Sequence, residues 1–221
     1  MAVNRLKIGI AVLAINVSCG AWAESEFSIY GGTQSSPHST VENTSSTPPS
    51  KTSLYTGWKA SPFSFPIYVG LRYTSWNENE WGYAFNYAHT KAISLDQASG
   101  GYNRLEFTDG ANPITVILLK RFSYRDVKPY VGAGLGISVP HVEAQWTVAS
   151  TGASSKKTFE YQYGGPVATL VAGFSYPYSE KWSLFTDFQM HYMKIDAAVD
   201  GGRLKTNLIT NALNVGVSYR F

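Results

Sequence analysis

The sequence ends with Leu213-Asn-Val-Gly-Val-Ser-Tyr-Arg-Phe221, and this stretch decides the fold. Its Leu, Val, Tyr and Phe residues alternate one by one with Asn, Gly, Ser and Arg. A period of two predicts a β-strand that has one apolar face and one polar face. Such a strand belongs either to a soluble β-sandwich with the apolar face inside or to a membrane barrel with that face towards lipid.

The opposite end of the chain favours export. Arg5 and Lys7 precede an apolar run over 8–17, and Ala21-Trp-Ala23 follows it. A basic segment, a short apolar segment and an A-x-A site together predict a signal peptide over 1–23, cleaved before residue 24. The run is too short to span a bilayer as a helix, which needs about 20 residues. Acylation of Cys19 is the alternative, and it is disfavoured because Asn16 stands three positions before it.

An exported chain whose last strand ends on a free aromatic residue resembles the assembly signal of outer-membrane barrels. We therefore predict an all-β fold, an eight-stranded antiparallel transmembrane β-barrel over 24–221, with both termini periplasmic. The outer membrane is the expected location, and the outer-membrane assembly machinery is an expected partner. We expect the barrel to be a monomer.

The positions of the turns give the strand count. Barrels of this type have short periplasmic turns and longer external loops, and tight polar links occur at 77–80, 123–127 and 178–181. The Leu54–Phe65 stretch is aromatic and is expected to extend a strand above the membrane, whereas the Ser/Thr/Pro-rich part of the first loop, 35–50, is expected to be partly mobile. The predicted strands are 26–34, 67–76, 81–92, 113–122, 128–140, 161–176, 181–196 and 206–221. The predicted external loops are 35–66, 93–112, 141–160 and 197–205.

Composition excludes several functions. The chain has 18 Lys and Arg against 15 Asp and Glu, and two of the basic residues belong to the predicted signal peptide, so nothing indicates a nucleic-acid partner. The single cysteine also lies in that segment, so the mature chain has no thiol chemistry. The Gly132-x-Gly134-x-Gly136 run lacks the spacing and context of a dinucleotide site, and we expect it to make room for Tyr or Arg inside the barrel.

An eight-stranded barrel has an interior just wide enough for its own side chains or one small ligand, so we expect activity in the loops, at the rim or on the lipid-facing wall. His141 and Glu143 share one face of the chain beyond the fifth strand, where they can act as base and orienter or as ligands of a divalent cation. Glu106, Asp109 and Glu160 lie in neighbouring loops. We predict catalytic roles for His141, Glu143 and Asp109, and metal binding by His141, Glu143, Glu106 and Glu160. Clustered carboxylates could alternatively hold cations that bridge lipopolysaccharide phosphates.

The remaining histidines divide between substrate binding and structure. His89 and Lys91 continue the lipid-facing side of the third strand, where a cationic pair suits a phosphorylated headgroup. His38 begins the first external loop. We predict that these three residues bind substrate. His191 has the parity of the barrel interior, and we assign it to an interior polar network because buried polar groups need partners.

Five strings in this chain resemble the lipid A oxidase of rhizobia, an outer-membrane enzyme. The resemblance implies that the protein acts on lipid A or lipopolysaccharide in the outer leaflet. It further implies conversion of the proximal glucosamine to 2-aminogluconate, with molecular oxygen as co-substrate and a divalent metal ion. The strings are Gly32-Thr-Gln-Ser-Ser-Pro-His-Ser39, Leu105-Glu-Phe-Thr-Asp-Gly-Ala-Asn112, the run from Tyr130 to Glu143, Phe159-Glu-Tyr-Gln162 and the run from Thr206 to Ser218.

Two other classes of function stay open at this stage. One is a non-enzymatic surface barrel of the adhesion or serum-resistance type, whose loops bind host molecules. The other is a lipid A deacylase, which requires a serine beside a histidine. The only adjacent pair, His38 and Ser39, diverges in an extended chain because successive side chains point to opposite faces.

Overall fold

The computed structural model describes residues 22–221, with side chains from residue 24 onwards. The predicted signal peptide lies, except for its last two residues, outside the described residues, and its cleavage stays a prediction. Within 22–221, no helix is long and apolar enough to cross a membrane. One short 3-10 helix, Ala98–Gly100, accompanies the strands. The strands are β1 Trp22–Asn43, β2 Ser53–Lys59, β3 Val69–Asn77, β4 Trp81–Ala88, β5 Ala92–Ser94, β6 Tyr102–Phe107, β7 Pro113–Arg121, β8 Lys128–Ser138, β9 His141–Trp146, β10 Thr158–Tyr161, β11 Gly165–Pro177, β12 Trp182–Val199 and β13 Gly202–Arg220.

Eight of these strands form a closed antiparallel barrel. Their order is β1-β13-β12-β11-β8-β7-β4-β3, and β3 pairs back onto β1. Ile29 of β1 illustrates the closure, because it lies opposite Val217 of β13 on one side and Leu71 of β3 on the other. The predicted fold class, an eight-stranded antiparallel barrel, is confirmed.

The outward face of these eight strands is apolar, as the alternating pattern predicted. In β3, Leu71 and Tyr73 are exposed, whereas Gly70, Arg72 and Thr74 between them are buried. Lipid satisfies an apolar outer wall, and the closed ladder leaves no strand edge unpaired within the bilayer. Other exposed apolar residues on this wall are Phe85, Val116, Leu118, Leu135, Leu170, Phe174, Leu184, Phe188, Leu213 and Val215.

A polar network fills the interior of the membrane-spanning part. Arg72 Nη2 donates to Asp187 Oδ2 at 2.8 Å, and the Tyr130 hydroxyl donates to the same oxygen at 2.9 Å. Asn214 donates to the other carboxylate oxygen at 2.9 Å, and Arg72 Nε donates to Asn86 at 3.1 Å. A buried ion pair needs such additional hydrogen bonds to offset its loss of hydration. The side chains of this network are all buried in the lumen.

His191 lies on the interior side, as predicted, but it is not bonded to the carboxylate network. Its Nδ1 is 2.8 Å from the Thr169 hydroxyl. The Gly132, Gly134 and Gly136 run also faces inward, but the prediction that it makes room for Tyr or Arg is wrong. A Cβ on Gly134 would lie 2.8 Å from the side chain of Ile117, so the space is taken by β7.

Above the membrane, the wall continues where loops were predicted. β1 runs to Asn43, well into the predicted 35–66 loop, because Val41 pairs with Thr206 on one side and Leu54 on the other. β2, β5, β6, β9 and β10 then follow one another sideways from β1. β12 and β13 extend upwards to Val199 and Gly202. The expected strand extension by the aromatic 54–65 stretch corresponds to β2.

This extracellular part has an apolar interior. Trp146, Phe107, Leu105 and Leu204 are all almost completely buried within it. The outer surface here meets water instead of lipid, so the strands bury apolar side chains as they do in a soluble protein. Trp146 Nε1 donates to the Thr47 carbonyl at 2.7 Å, which ties the 44–52 connection to the same core.

A candidate metal centre

Three of the predicted catalytic residues converge on the outside of the extracellular wall. His141 Nδ1 lies 3.5 Å from Asp109 Oδ2 and 3.4 Å from Glu143 Oε1. One ligand atom from each of the three residues can be chosen so that all lie within 4.8 Å of one another. Among the described residues, this is the one group of three histidines or carboxylates with such geometry.

The local backbone explains the convergence. Pro140 interrupts the β8 ladder, and β9 starts afresh at His141, so that Val142 points into the extracellular core while His141 and Glu143 point outwards. The His141 amide donates to the carbonyl of Gly110 at 2.8 Å. This bond fixes the 108–112 turn beside β9, and Asp109 thereby reaches the imidazole.

Aromatic residues of β10 hold the imidazole in place. The His141 ring meets the rings of Phe159 and Tyr161 edge-on, at centroid distances of 4.5 and 4.7 Å. Both rings come from the strand paired with β9, in which Phe159 lies opposite Glu143 and Tyr161 lies opposite His141. His141 is consequently 4% exposed, although it points away from the core.

Glu143 has neighbours on both carboxylate oxygens. The Thr108 hydroxyl donates to Oε1 at 2.6 Å, and Arg104 Nε lies 2.6 Å from Oε2. Arg104 also contacts Glu106, which lies opposite Glu143 in the β6–β9 ladder. Burial raises the pKa of the Glu106 carboxyl, and the Glu143 charge raises it further against the opposing effect of Arg104.

The spacing fits a small divalent cation. Ligands placed tetrahedrally at about 2.1 Å from a metal are about 3.4 Å apart, which is close to the separations of His141 Nδ1 from Asp109 and Glu143. The two carboxylates lie within 4.8 Å of each other. His141 Nδ1 and Glu143 Oε2 are buried and have no aligned hydrogen-bond partner in the described part of the chain. Arg104 lies beside Glu143 Oε2, so among the described residues His141 Nδ1 is the atom of this group that has neither an aligned hydrogen bond nor a cation beside it. Because buried polar atoms normally have partners, this nitrogen and the two carboxylates next to it suit a bound cation.

Glu106 lies opposite Glu143 and contacts Arg104, but it is not one of the three grouped ligands. Two further residues predicted for the site lie elsewhere. Glu160 pairs with Val142 and points to the opposite side of β10 from His141, where its Oε1 accepts from Gln162 at 3.3 Å. His38 stacks on Tyr55 in a separate groove between β1 and β13. The structure therefore does not bring Glu160 or His38 to the candidate metal centre.

His89 and Lys91, the predicted cationic pair, are buried instead of exposed to lipid headgroups. His89 Nδ1 is 3.1 Å from Asn112 Oδ1, and the Lys91 ammonium donates to the carbonyls of Ser64 and Pro66 at 3.0 and 3.1 Å. Burial lowers the pKa of both His89 and Lys91. The prediction that both side chains face lipid is therefore wrong, whereas their role in substrate binding stays a prediction, and Lys91 lines the groove beside the candidate metal centre.

Comparison with known proteins identifies the family. The model of the outer membrane protein β-barrel domain matches residues 9–221. The chain belongs to this family. Its location is the outer membrane, as predicted from the terminal strand and the export signal. In such barrels the short turns are periplasmic, so the extended part and the candidate metal centre are extracellular.

Some solved outer-membrane protein structures are similar to the chain at low identity. Neisserial surface protein A is 16% identical, with a TM-score of 0.42 over 90% of this chain and 96% of that chain. Ail of Yersinia pestis is 16% identical, with a TM-score of 0.43 over 90% and 98%. OprG of Pseudomonas aeruginosa is 15% identical, with a TM-score of 0.47 over 90% and 93%. A search of curated proteins gave no match.

In this outer-membrane barrel, an open groove of about 510 Å³ leads to the candidate metal centre. Asp109 and Glu143 line the groove, and Lys59, Lys91 and Arg104 contribute cationic groups. Phe65, which is 93% exposed, and Phe159 form apolar sides. Binding sites for small ligands commonly have volumes of this order.

Sequence reasoning missed Thr108, Arg104, Phe159 and Tyr161. In the Phe159-Glu-Tyr-Gln162 string, the phenylalanine and the tyrosine are two residues apart. In a strand, this spacing indicates that the two aromatic rings lie on the same face. Arg104 and Thr108 gave no signal because their contacts depend on the register between β6 and β9, which pairs Glu106 with Glu143.

Proposed function

We propose that this outer-membrane barrel is an enzyme that oxidises the proximal glucosamine of lipid A to 2-aminogluconate, with molecular oxygen as co-substrate. The observation that carries the proposal is the convergence of Asp109, His141 and Glu143 on the outside of the wall. The reaction itself comes from the resemblance of the sequence to the lipid A oxidase of rhizobia. A divalent cation held by the three side chains is part of the proposal.

The height of the site supports a lipid headgroup as substrate. β8 has 11 residues between its periplasmic turn and Ser138, and a transmembrane β-strand needs about 9–11 residues to cross the hydrocarbon core. His141 follows three positions after Ser138. The imidazole therefore lies at the outer headgroup level, where the glucosamine units of lipid A are found.

The surroundings of the site suit an amphiphilic glycolipid. Phe63 and Phe65 are 81% and 93% exposed on the 60–68 segment, next to the outward-facing Ile67. These exposed apolar side chains immediately precede β3 in the chain and can contact acyl chains, and Phe65 also lines the groove. Lys59 and Arg104, on the groove side, can meet the charged substituents of the sugar.

The proposed reaction balances with oxygen as oxidant. The free lactol of the proximal sugar loses two protons and two electrons to O₂, one hydrogen from the anomeric carbon and one from its hydroxyl, which gives a lactone and hydrogen peroxide. Water then opens the lactone to the aldonic acid. The net gain for the glycolipid is one oxygen atom.

The side chains divide this work. Asp109 and Glu143 approach Nδ1 of His141 from two sides, and carboxylates are acceptors when ionised, so the three groups can hold a cation or orient the imidazole as a base. A bound divalent cation would polarise a sugar oxygen as a Lewis acid. Thr108 orients Glu143, while Phe159 and Tyr161 shield the imidazole from water.

Mass spectrometry of lipid A tests the proposal. Membranes that contain the protein should add about 16 mass units to lipid A with a free proximal lactol, because the oxidation inserts one oxygen in net terms. The same incubation without air is the control, and there the addition should disappear.

Other products would point to the alternative functions. Loss of one acyl chain would indicate a deacylase, although Ser39 bonds to Trp58 and Thr206 instead of His38. Unchanged lipid A in the presence of correctly assembled protein would contradict the proposal and favour a non-enzymatic surface barrel.

A further inference from the structure

Arg104 lies at the mouth of the groove, between the candidate metal centre and solvent. Its side chain is 43% exposed, whereas that of the adjacent Glu143 is 2% exposed. It belongs to β6, and its guanidinium reaches the carboxylates of both Glu106 and Glu143. None of these contacts is an aligned hydrogen bond, although the atoms are close.

The contact with Glu143 sets the arginine in competition with a metal. Glu143 Oε1 already accepts the Thr108 hydroxyl and faces His141, and Oε2 is the oxygen that Arg104 approaches. The Arg104 guanidinium offsets the negative charge of the Glu143 carboxylate, which a metal ion would need as a ligand. A second cation at Glu143 also adds repulsion, because like charges at short range oppose each other.

The guanidinium has a better partner available in the groove. Arginine binds phosphate-type oxyanions through two parallel N–H donors, and this bidentate geometry is stronger than a single poorly aligned contact. Lys59 is exposed on the same groove and adds a second positive charge. Lys91 also lines the groove, but its ammonium already donates to the carbonyls of Ser64 and Pro66. Arg104 and Lys59 are therefore the two cationic groups that the groove offers an oxyanion beside the metal ligands.

We infer that this groove is an oxyanion subsite for a phosphate-type group of the glycolipid, and that Arg104 links its occupancy to metal binding at Asp109, His141 and Glu143. The inference rests on the proposed function and deepens it. The oxidised carbon must carry a free hydroxyl, so the oxyanion belongs to another position of the lipid, such as the distal sugar. Arg104 is a positioning residue, and it moves from Glu143 to the oxyanion when the lipid binds.

Thermodynamic linkage gives the consequence. If the oxyanion removes Arg104 from Glu143, it strengthens metal binding, and the metal must strengthen oxyanion binding by the same factor. Partly exposed ion pairs have small energies, so we expect an effect of about two- to fivefold. The protein would then hold its metal best when substrate is present.

The test measures Mn²⁺ binding to the purified, detergent-solubilised barrel without any turnover. Arg104→Gln should bind Mn²⁺ about two- to fivefold more tightly than the wild type in chloride buffer. Replacing chloride by sulfate at constant ionic strength should tighten binding to the wild type and leave Arg104→Gln unchanged. Lipid A with and without its distal phosphate then separates a lipid-borne oxyanion from a free one, and only the phosphorylated lipid should act at low concentration.

Two further variants keep the outcome clear. Lys59→Gln should weaken the sulfate effect, and Arg104→Lys should fall between the wild type and Arg104→Gln in Mn²⁺ affinity. The shift of the protein band on boiling verifies assembly of each variant. Mn²⁺ binding that requires His141 but is the same in Arg104→Gln and the wild type would overturn this inference alone. Absence of Mn²⁺ binding by the wild type would overturn both the inference and the proposed metal.

Discussion

The membrane-spanning part and the extracellular part of this barrel have opposite interiors, although the same strands run through both. β12 shows the change: Asp187 and Gln189 face inwards within the membrane, and Met193 and Ile195 face inwards above it. The outward face shows the opposite change, because it is apolar within the membrane and carries the charged Lys194 above it. The phase of the alternation is constant, and the solvent outside the wall determines which side is apolar.

The difference between the two parts of the barrel explains the position of the candidate metal centre. Within the membrane, polar groups are confined to a crowded interior with no room for a substrate. Above the membrane, the outward face is polar while the interior supplies a rigid apolar support. His141 and Glu143 occur on the outward face directly above the point of change, where lipid headgroups can reach them.

The largest loss of stability should come from breaking the ion pair between Arg72 and Asp187, which lies inside the membrane-spanning part of the barrel. Arg72→Met leaves the Asp187 carboxylate buried without its cation, which should cost about 3–5 kcal/mol of unfolding free energy. Arg203→Met is the matched control, since Arg203 pairs with Asp196 at the exposed top of β12 and β13. That change should cost about 1 kcal/mol or less. Urea titration of the folded barrel in lipid, followed by the band shift on boiling, measures both, and equal losses would contradict the contrast.

A core substitution above the membrane should have the next largest effect. Leu204→Ala removes a completely buried side chain from the extracellular core and should cost about 3 kcal/mol. We expect the loss to appear as faster proteolysis of the extracellular segments while the membrane part stays assembled. Leu135→Ala, on the lipid-facing wall, is the control and should leave the proteolysis rate unchanged. Collapse of the whole barrel in Leu204→Ala would show that the two parts are one cooperative unit.

A smaller effect is expected where the extracellular wall closes on itself. Here the side-chain amide of Gln162 bonds to the backbone of β12 as a neighbouring strand would. Its Nε2 donates to the Ala198 carbonyl at 2.8 Å, and its Oε1 accepts from the Ala198 backbone N–H at 2.7 Å. Gln162→Ala should lose about 1–2 kcal/mol and increase hydrogen exchange at Ala198. Gln162→Glu keeps the acceptor and should protect that amide partly. Unchanged exchange in Gln162→Ala would mean that the amide does not close the wall.

The sequence was sufficient to predict the barrel because its turns and alternating strands are local signals. The predicted membrane strands differ from β3, β7 and β8 by a few residues only. The extracellular strands were missed because the apolar residues of the alternating pattern face outwards within the membrane but inwards above it. Lys194 and Asp196 appear on the formerly apolar face, and the short β5 and β10 have too few residues to show a period.

The candidate site was predicted in part for a similar reason. His141 and Glu143 are two residues apart, so their common face followed from the strand period. Asp109 depended on a turn fixed by a backbone bond to Gly110, and Arg104 depended on strand register, which a single sequence does not specify. The lipid-facing position of His89 and Lys91 was predicted from parity, but both side chains are buried, and the Lys91 ammonium bonds to the 60–68 segment.

The most direct test of the account is the oxidation of lipid A in air by purified wild type, His141→Ala and His191→Ala. His141 belongs to the extracellular site, and His191 is a fully buried histidine of the membrane interior. The account predicts that His141→Ala assembles normally and loses about 10²–10⁴-fold or more in rate, as expected for a lost base or metal ligand. His191→Ala should lose stability before it loses activity. Wild-type rates in a correctly assembled His141→Ala barrel would contradict the account.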